Sequence, residues 1–174
     1  MKEQIILRTF RKEDTSLSWQ WRNQKAVQDH FSGHPYDVTK EQEEEWYEKV
    51  VLTDEKLQVY AIEVIADKKL VGMTFLKNIN KINRKAEFAI LIDQEHAGKG
   101  FGKEACSKTL SKAFNELGLH RVFLHVRVDN PAAIRIYESC GFKKEGELRD
   151  DVFKNGSFRN QYFMGILARE FKSV

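Results

Sequence analysis

Only two of the 174 residues are cysteine, Cys106 and Cys140, and they show neither a CxxC spacing nor a histidine at metal-ligand distance. That argues against a disulfide scaffold and against a metal site, and fits two reduced thiols in a reducing compartment. No stretch approaches ~18 uninterrupted apolar residues. The opening MKEQIILRTF also lacks the apolar centre and cleavage signal of a leader, so a cytoplasmic protein with no membrane partner is expected. Charge imbalance is small: 29 basic residues face 26 acidic ones, a formal net charge of +3. Nucleic-acid binding favours concentrated basic stripes, so no nucleic-acid partner is expected. There is no internal repeat, low-complexity stretch or Pro/Ser/Gly-rich linker, and residues 1–174 are expected to form one domain. With 41% apolar residues and 12 phenylalanines, the chain can bury a real core.

Local patterns order that core. Ile5–Arg8 reads as a short strand, and Asp14 to Val27 as a helix with Leu17, Trp21 and Ala26 on its apolar face. Residues 30–38 read as a loop. Thr39 with Gln42 forms a capping box for a helix running to Val51. Strand-like runs follow at Leu57–Ile65, Leu70–Lys77 and Lys85–Ile92, the first two separated by a polar turn. A helix then ends near Gly118, and Arg121–Val128 alternates as a strand. Asn130-Pro131 opens a further helix that Gly141 closes. Phe142–Phe153 and Phe158–Leu167 form a hairpin around Asn155-Gly156. This order predicts an α/β (α+β) fold, a mixed sheet with helices on its faces. The helix between the strands at 85 and 121 is placed to join two parallel strands.

Residues 97–106, AGKGFGKEAC, place glycine at every second position after a strand and before a helix. Counted from Gly98, the stretch fails the P-loop spacing, because Lys103 and Glu104 stand where Gly-Lys is required, and it fails GxGxxG at Lys103. Strand, glycines and helix start still bring free N–H groups and a helix dipole into one small volume, suited to a pyrophosphate. A tight structural turn would need the same glycines, and spacing does not choose between the two.

Residues 129–142, DNPAAIRIYESCGF, add a second constellation. Together the two stretches resemble the GCN5-related N-acetyltransferase (GNAT) superfamily. Its pyrophosphate loop, which begins at the position of Ala97, is matched at Gly100 and Gly102, and its later signature at Asn130, Ala133, Tyr137, Gly141 and Phe142. The C-terminal EGELRDDVFKNGSFRNQYFMGIL is similar to the branch holding spermidine and ribosomal-protein N-terminal acetyltransferases. The family has Gln or Arg where this chain has Ala97, which leaves the cradling of phosphates to backbone amides. The resemblance implies a seven-stranded, mostly antiparallel mixed sheet flanked by about four helices.

It also implies direct acetyl transfer from acetyl-CoA, without a metal, to the primary amine of a small molecule. Tyr137 is then the candidate acid and Glu87 a candidate proton relay. The cofactor would lie on Phe88, Ala89, Ile90, Leu91 and Ile92 of the preceding strand and on Ala97, Gly98, Lys99, Gly100, Phe101, Gly102 and Lys103 of the loop. Asn130, Ala133 and Tyr137 would add contacts from the later signature. On residue pattern alone, Tyr137 serves equally as a core aromatic, and Glu87 as a solvated carboxylate. His96, His120 and His125 read as surface or structural residues.

The acceptor is less defined. Trp19, Trp21, Phe31, Tyr36, Trp46 and Tyr47 supply either an aromatic acceptor wall or bulk packing against the sheet. The acidic run Glu41, Glu43, Glu44 and Glu45 suits a polyamine or a solvated helix face. Polyamines, amino sugars and protein N-termini all stay open, as does a CoA-binding module without turnover. An exposed C-terminal strand would offer an edge for a homodimer.

Overall fold

The computed structural model describes residues 3–30 and 37–172. Seven strands, β1 (Ile5–Thr9), β2 (Gln58–Val64), β3 (Leu70–Asn80), β4 (Lys85–Ile92), β5 (Arg121–Arg127), β6 (Lys143–Lys154) and β7 (Ser157–Leu167), form one sheet. Their order is β1-β2-β3-β4-β5-β7-β6. Every neighbouring pair is antiparallel except β4–β5, which is parallel. The expected mixed, mostly antiparallel sheet is therefore what forms, with the helix crossover between its only two parallel neighbours.

Five α-helices cover it among the described residues: α1 (Thr15–Arg22), α2 (Lys25–His30), α3 (Lys40–Trp46), α4 (Phe101–Ser111) and α5 (Pro131–Ser139). The expected helix over 14–27 is broken in two. Asn23 closes α1, and its amide exchanges two hydrogen bonds of 2.8 Å with the backbone of Val38. Gln24 reaches across to Asp93 and Gln94. Both side chains find long-range partners that a continuous helix would not present. The capping box at Thr39 and Gln42 is present, and α3 runs on into a wide turn over Tyr47–Val51. Of the expected loop at 30–38, positions 31–36, which include Phe31 and Tyr36, lie outside the described residues.

Period-two alternation divides the core between the two faces of the sheet. Ala86 and Phe88 of β4, with Val122, Leu124 and Val126 of β5, pack against Cys106, Leu110, Tyr137 and Phe142 on the side of α4 and α5. Ala89 and Leu91 turn the other way and join Phe10, Trp21, Phe75 and Trp46 beneath α1 and α3. Trp21 is thus a core residue, while Trp46 stays half-buried at the margin.

The acidic run of α3 is not one solvated face. Glu43 is fully buried, accepts a 2.5 Å hydrogen bond from Ser18 Oγ and lies 3.3 Å from Arg22 Nε. Burial pushes its carboxyl above the usual range, against the opposing pull of Arg22 and Ser18, and lowers the Arg22 guanidinium. Arg22 also stacks on Trp46 at 4.5 Å. One desolvated pair thereby ties α1 to α3. Removing one partner of such a pair leaves a buried charge alone, whereas replacing both with apolar residues is tolerated. Arg22→Ala is expected to lower unfolding free energy in urea by about 3–5 kcal/mol, and Arg22→Met with Glu43→Leu to recover most of it. A loss below about 1 kcal/mol for Arg22→Ala would show that the pair does not hold the helices.

Candidate active site

The parallel pair β4–β5 sets the site. Its register covers only Lys85↔Arg121, Ala86↔Val122 and Glu87↔Phe123, although β4 continues to Ile92 and β5 to Arg127. Beyond Glu87 the strands diverge. On its other side β4 stays paired with β3 as far as Gly72↔Ile92. The β5-facing edge of Phe88, Ala89, Ile90, Leu91 and Ile92 is therefore open, a short length of strand without a neighbour in the middle of a sheet. Exposed ladder groups of this kind accept an added strand or a strand-like ligand.

At the end of β4 the chain turns through Asp93 into the glycine loop. Gly98 and Gly100 have φ of +78° and +88°, in the left-handed region, and a Cβ built at either would meet nothing within 4 Å. Both glycines are required by the backbone and border open space, as a ligand cradle would. Gly102 differs: its φ is not left-handed, and a Cβ there would meet Ile136 of α5 at 3.4 Å, an ordinary van der Waals contact. Ala97 is extended and exposed. Helix α4 starts at Phe101, whose ring is buried, with Gly100 as its N-cap and no side-chain cap. The helices α3 and α5, by contrast, are capped by Thr39 and Asn130. Lys99 and Lys103 are exposed, and neither is in an ion pair among the described residues. Free first-turn amides, the positive end of a helix and two unneutralised ammonium groups make an anion site.

Tyr137 approaches the fork from α5. Its ring is buried and packs edge-on against Phe88 at 6.1 Å and against Phe142 at 5.9 Å. Phe88 is the first residue past the last β4–β5 pair, so the phenol sits under the point of divergence. Burial pushes the Tyr137 phenol well above its ordinary range, and the neighbouring Cys106 and Cys140 thiols add to this, so the hydroxyl stays protonated. Cys106 is buried and Cys140 half-buried, and both are free. Asn130 Oδ1 accepts from Ala133 N at 3.2 Å and is occupied as the cap of α5, leaving its amide nitrogen as the end able to reach a ligand.

Glu87 faces the opposite side, towards α1–α3. The β3 register places Lys77 directly opposite, with Nζ 3.2 Å from Oε1. Just beyond, β3 is irregular at Asn78, whose φ is +52°, and this turns the Asn78 amide onto Oε2 at 3.0 Å. His125 Nδ1 lies 3.6 Å from Oε1. Glu87 is thus neither isolated nor simply solvated. Beside it a cavity of about 270 Å³ is lined by Trp46, Phe75, Arg22, Lys77, Asn78 and Asp54 among others. The partners of Glu87 escaped the sequence reading because they depend on strand register. The one available signal was the position of His125, which falls off the Val122–Leu124–Val126 face in the alternation of β5.

A strand fork with an open edge, an uncapped helix behind a glycine loop and a buried tyrosine beneath the fork together define a CoA-using acyltransferase fold. The acetyltransferase (GNAT) domain family model matches residues 4–143, and the chain belongs to the GNAT N-acetyltransferases, enzymes that draw acetyl groups from acetyl-CoA. Among curated relatives, the spermidine N(1)-acetyltransferase of Vibrio cholerae is 36% identical over 171 residues, 98% of this chain and 97% of the relative. That of Escherichia coli K12 is 32% identical over 167 residues, covering 96% and 88%. A putative ribosomal N-acetyltransferase, YdaF of Bacillus subtilis, is 37% identical over 109 residues, covering 63% and 60%. The V. cholerae spermidine N-acetyltransferase solved with CoA and spermine superposes with a TM-score of 0.91 at 35% identity, over 97% of this chain and 98% of that one.

The glycine loop supplies its own test. Gly100→Val is expected to abolish the thermal shift produced by CoA, by placing a side chain in the open space of the cradle. Gly156→Val is the control, because Gly156 has φ +77° and an equally open surrounding at the β6–β7 turn, so it carries comparable backbone strain. A Gly100→Val protein that still binds CoA as the wild type does would reduce the loop to a turn.

Proposed function

We propose that residues 1–174 act as one acetyltransferase domain whose acceptor is a primary amine of a polyamine. The divergence of β4 and β5 carries the reading, because past Glu87 it leaves a gap in the pairing between the two faces of the sheet. Acetyl-CoA fits the α4–α5 side. The open edge of Phe88–Ile92 would bind the pantetheine amides, and Gly98, Lys99, Gly100, Phe101, Gly102 and Lys103 the pyrophosphate. Asn130 and Ala133, at the start of α5, flank that path. When bound, acetyl-CoA supplies the activated acetyl group.

On the opposite face the cavity suits a cationic chain. Arg22 and Lys77 are paired with Glu43 and Glu87, so their charges do not repel it. The Asp54 carboxylate accepts a backbone N–H from Lys56 and is in no ion pair among the described residues, which leaves one acidic group in the lining for an ammonium. The near-full-length relatives in V. cholerae and E. coli are named for spermidine, which supports the same acceptor class.

The residues divide the chemistry. An ammonium group must lose a proton before its nitrogen can attack, and the face bearing Glu87 and its neighbours is where that proton leaves. Backbone N–H groups of the open β4 edge stabilise charge developing on the carbonyl oxygen. Tyr137, held protonated beneath the fork, hands its proton to the departing sulfur and recovers one from the attacking nitrogen.

A relative from V. cholerae has been solved as a dodecamer, and self-association fits this chain too. The edge strand β6 is exposed along most of its length, with Phe153 and Phe158 bare at the hairpin end. No helix among the described residues is long and apolar enough to cross a membrane.

Thiol release measured across spermidine, spermine, amino sugars and short peptides tests the substrate class. Turnover is expected with the polyamines; turnover confined to sugars or peptides would overturn it. Tyr137→Phe is expected to lower kcat by about 100-fold with CoA affinity unchanged. An unchanged kcat would remove Tyr137 from the acid role.

A further inference from the structure

Resting on the polyamine acetyltransferase reading, we infer that His125 is the group that takes the proton from the acceptor amine, and that Glu87 is a positioning residue acting through it. Glu87 is poorly arranged to receive a proton itself. Its Oε1 faces the Lys77 ammonium at 3.2 Å and its Oε2 accepts from Asn78 at 3.0 Å, so an arriving proton would have to displace one of them. The imidazole has no such encumbrance. His125 Nδ1 points to Glu87 Oε1 at 3.6 Å, no hydrogen bond engages the other ring nitrogen among the described residues, and the side chain is 31% exposed. A carboxylate beside one ring nitrogen favours the tautomer that leaves the other free to accept.

Position supports the role as much as contact does. Glu87↔Phe123 is the last pair before the strands part, and His125 is two residues further along β5 on the same face, inside the fork. Phe163 from β7 packs on the imidazole at 5.1 Å and Phe123 meets it edge-on at 6.1 Å, which holds the ring in one orientation. The proton balance is simple. The N–H bond of the ammonium breaks and a proton joins the free ring nitrogen, while the electron pair left on nitrogen attacks the acetyl carbon. The imidazolium then faces the Glu87 carboxylate until it releases the proton to water.

The charged groups around the ring can be named from every side. Glu87 and Lys85 come from β4, and Lys77 from β3. Arg121 and Arg127 flank it on β5, paired with Glu145 of β6 and with Asp129, while β7 contributes Phe163 and Gln161 opposite His125 and Arg127. Of these, only Glu87 is within ion-pair distance of the imidazole.

The test is the pH profile of kcat/KM, measured with whichever amine the wild type turns over. The acceptor panel decides the substrate reading separately, so the two can fail independently. His125→Gln is expected to lower kcat by about 100-fold, to remove the acid-side fall of kcat/KM and to leave the CoA thermal shift intact. Glu87→Gln is expected to keep that fall and to lower kcat by less than His125→Gln does, because the group that takes the proton stays in place. His120→Gln, whose side chain lies on the surface outside the fork, should change neither. A His125→Gln enzyme that retains the acid-side fall, or a Glu87→Gln enzyme that loses it, would overturn the inference and return the proton to Glu87.

Discussion

Three residue pairs govern this molecule. β4 and β5 run parallel only from Lys85 to Glu87 and then separate. Unpaired backbone in the middle of a sheet is costly unless something else satisfies it. The fold can carry this gap because Phe88, Tyr137 and Phe142 fill the space beneath the fork on the α5 side. The edge thereby stays accessible to a ligand with amides of its own, which is what pantetheine provides.

The two proposed halves of the reaction lie on either side of that gap: the glycine loop, the uncapped α4 and Tyr137 on one face, and Glu87, His125 and the cavity against Trp46 on the other. The two are joined mechanically at the tip of β4. Gln24, between α1 and α2, donates to Asp93 at 2.7 Å and accepts from the Gln94 amide at 3.0 Å. Asp93 also contacts His96 Nδ1 at 2.7 Å, and these partners together hold its carboxyl below the usual range against the cost of burial. The junction of α1 and α2 is in this way anchored to the chain that leads into the glycine loop.

Much of this was legible in the residues themselves. Alternation found all seven strands, and the two stretches singled out by motif, the glycine loop and Asn130–Phe142, fall at the starts of the adjoining helices α4 and α5. What alternation cannot supply is register. Lys77 lies opposite Glu87 because of the pairing of β3 with β4, and Asn78 reaches the same carboxylate because of a local irregularity. His125, read as a surface residue, is brought to Glu87 by the parallel register of strands more than thirty positions apart in sequence. The acidic run of α3 misled for a related reason: Glu43 is drawn inwards by Arg22, a partner on another helix. The break between α1 and α2 likewise depends on the distant backbone of Val38 and on Asp93.

The central claim is that the open edge of β4 is the donor-binding surface, and amide hydrogen exchange with and without CoA tests it most directly. CoA is expected to slow exchange within Phe88–Ile92 and the loop 97–103, with little change in β2, which is paired on both sides. CoA binding that leaves exchange in Phe88–Ile92 unaltered would contradict it.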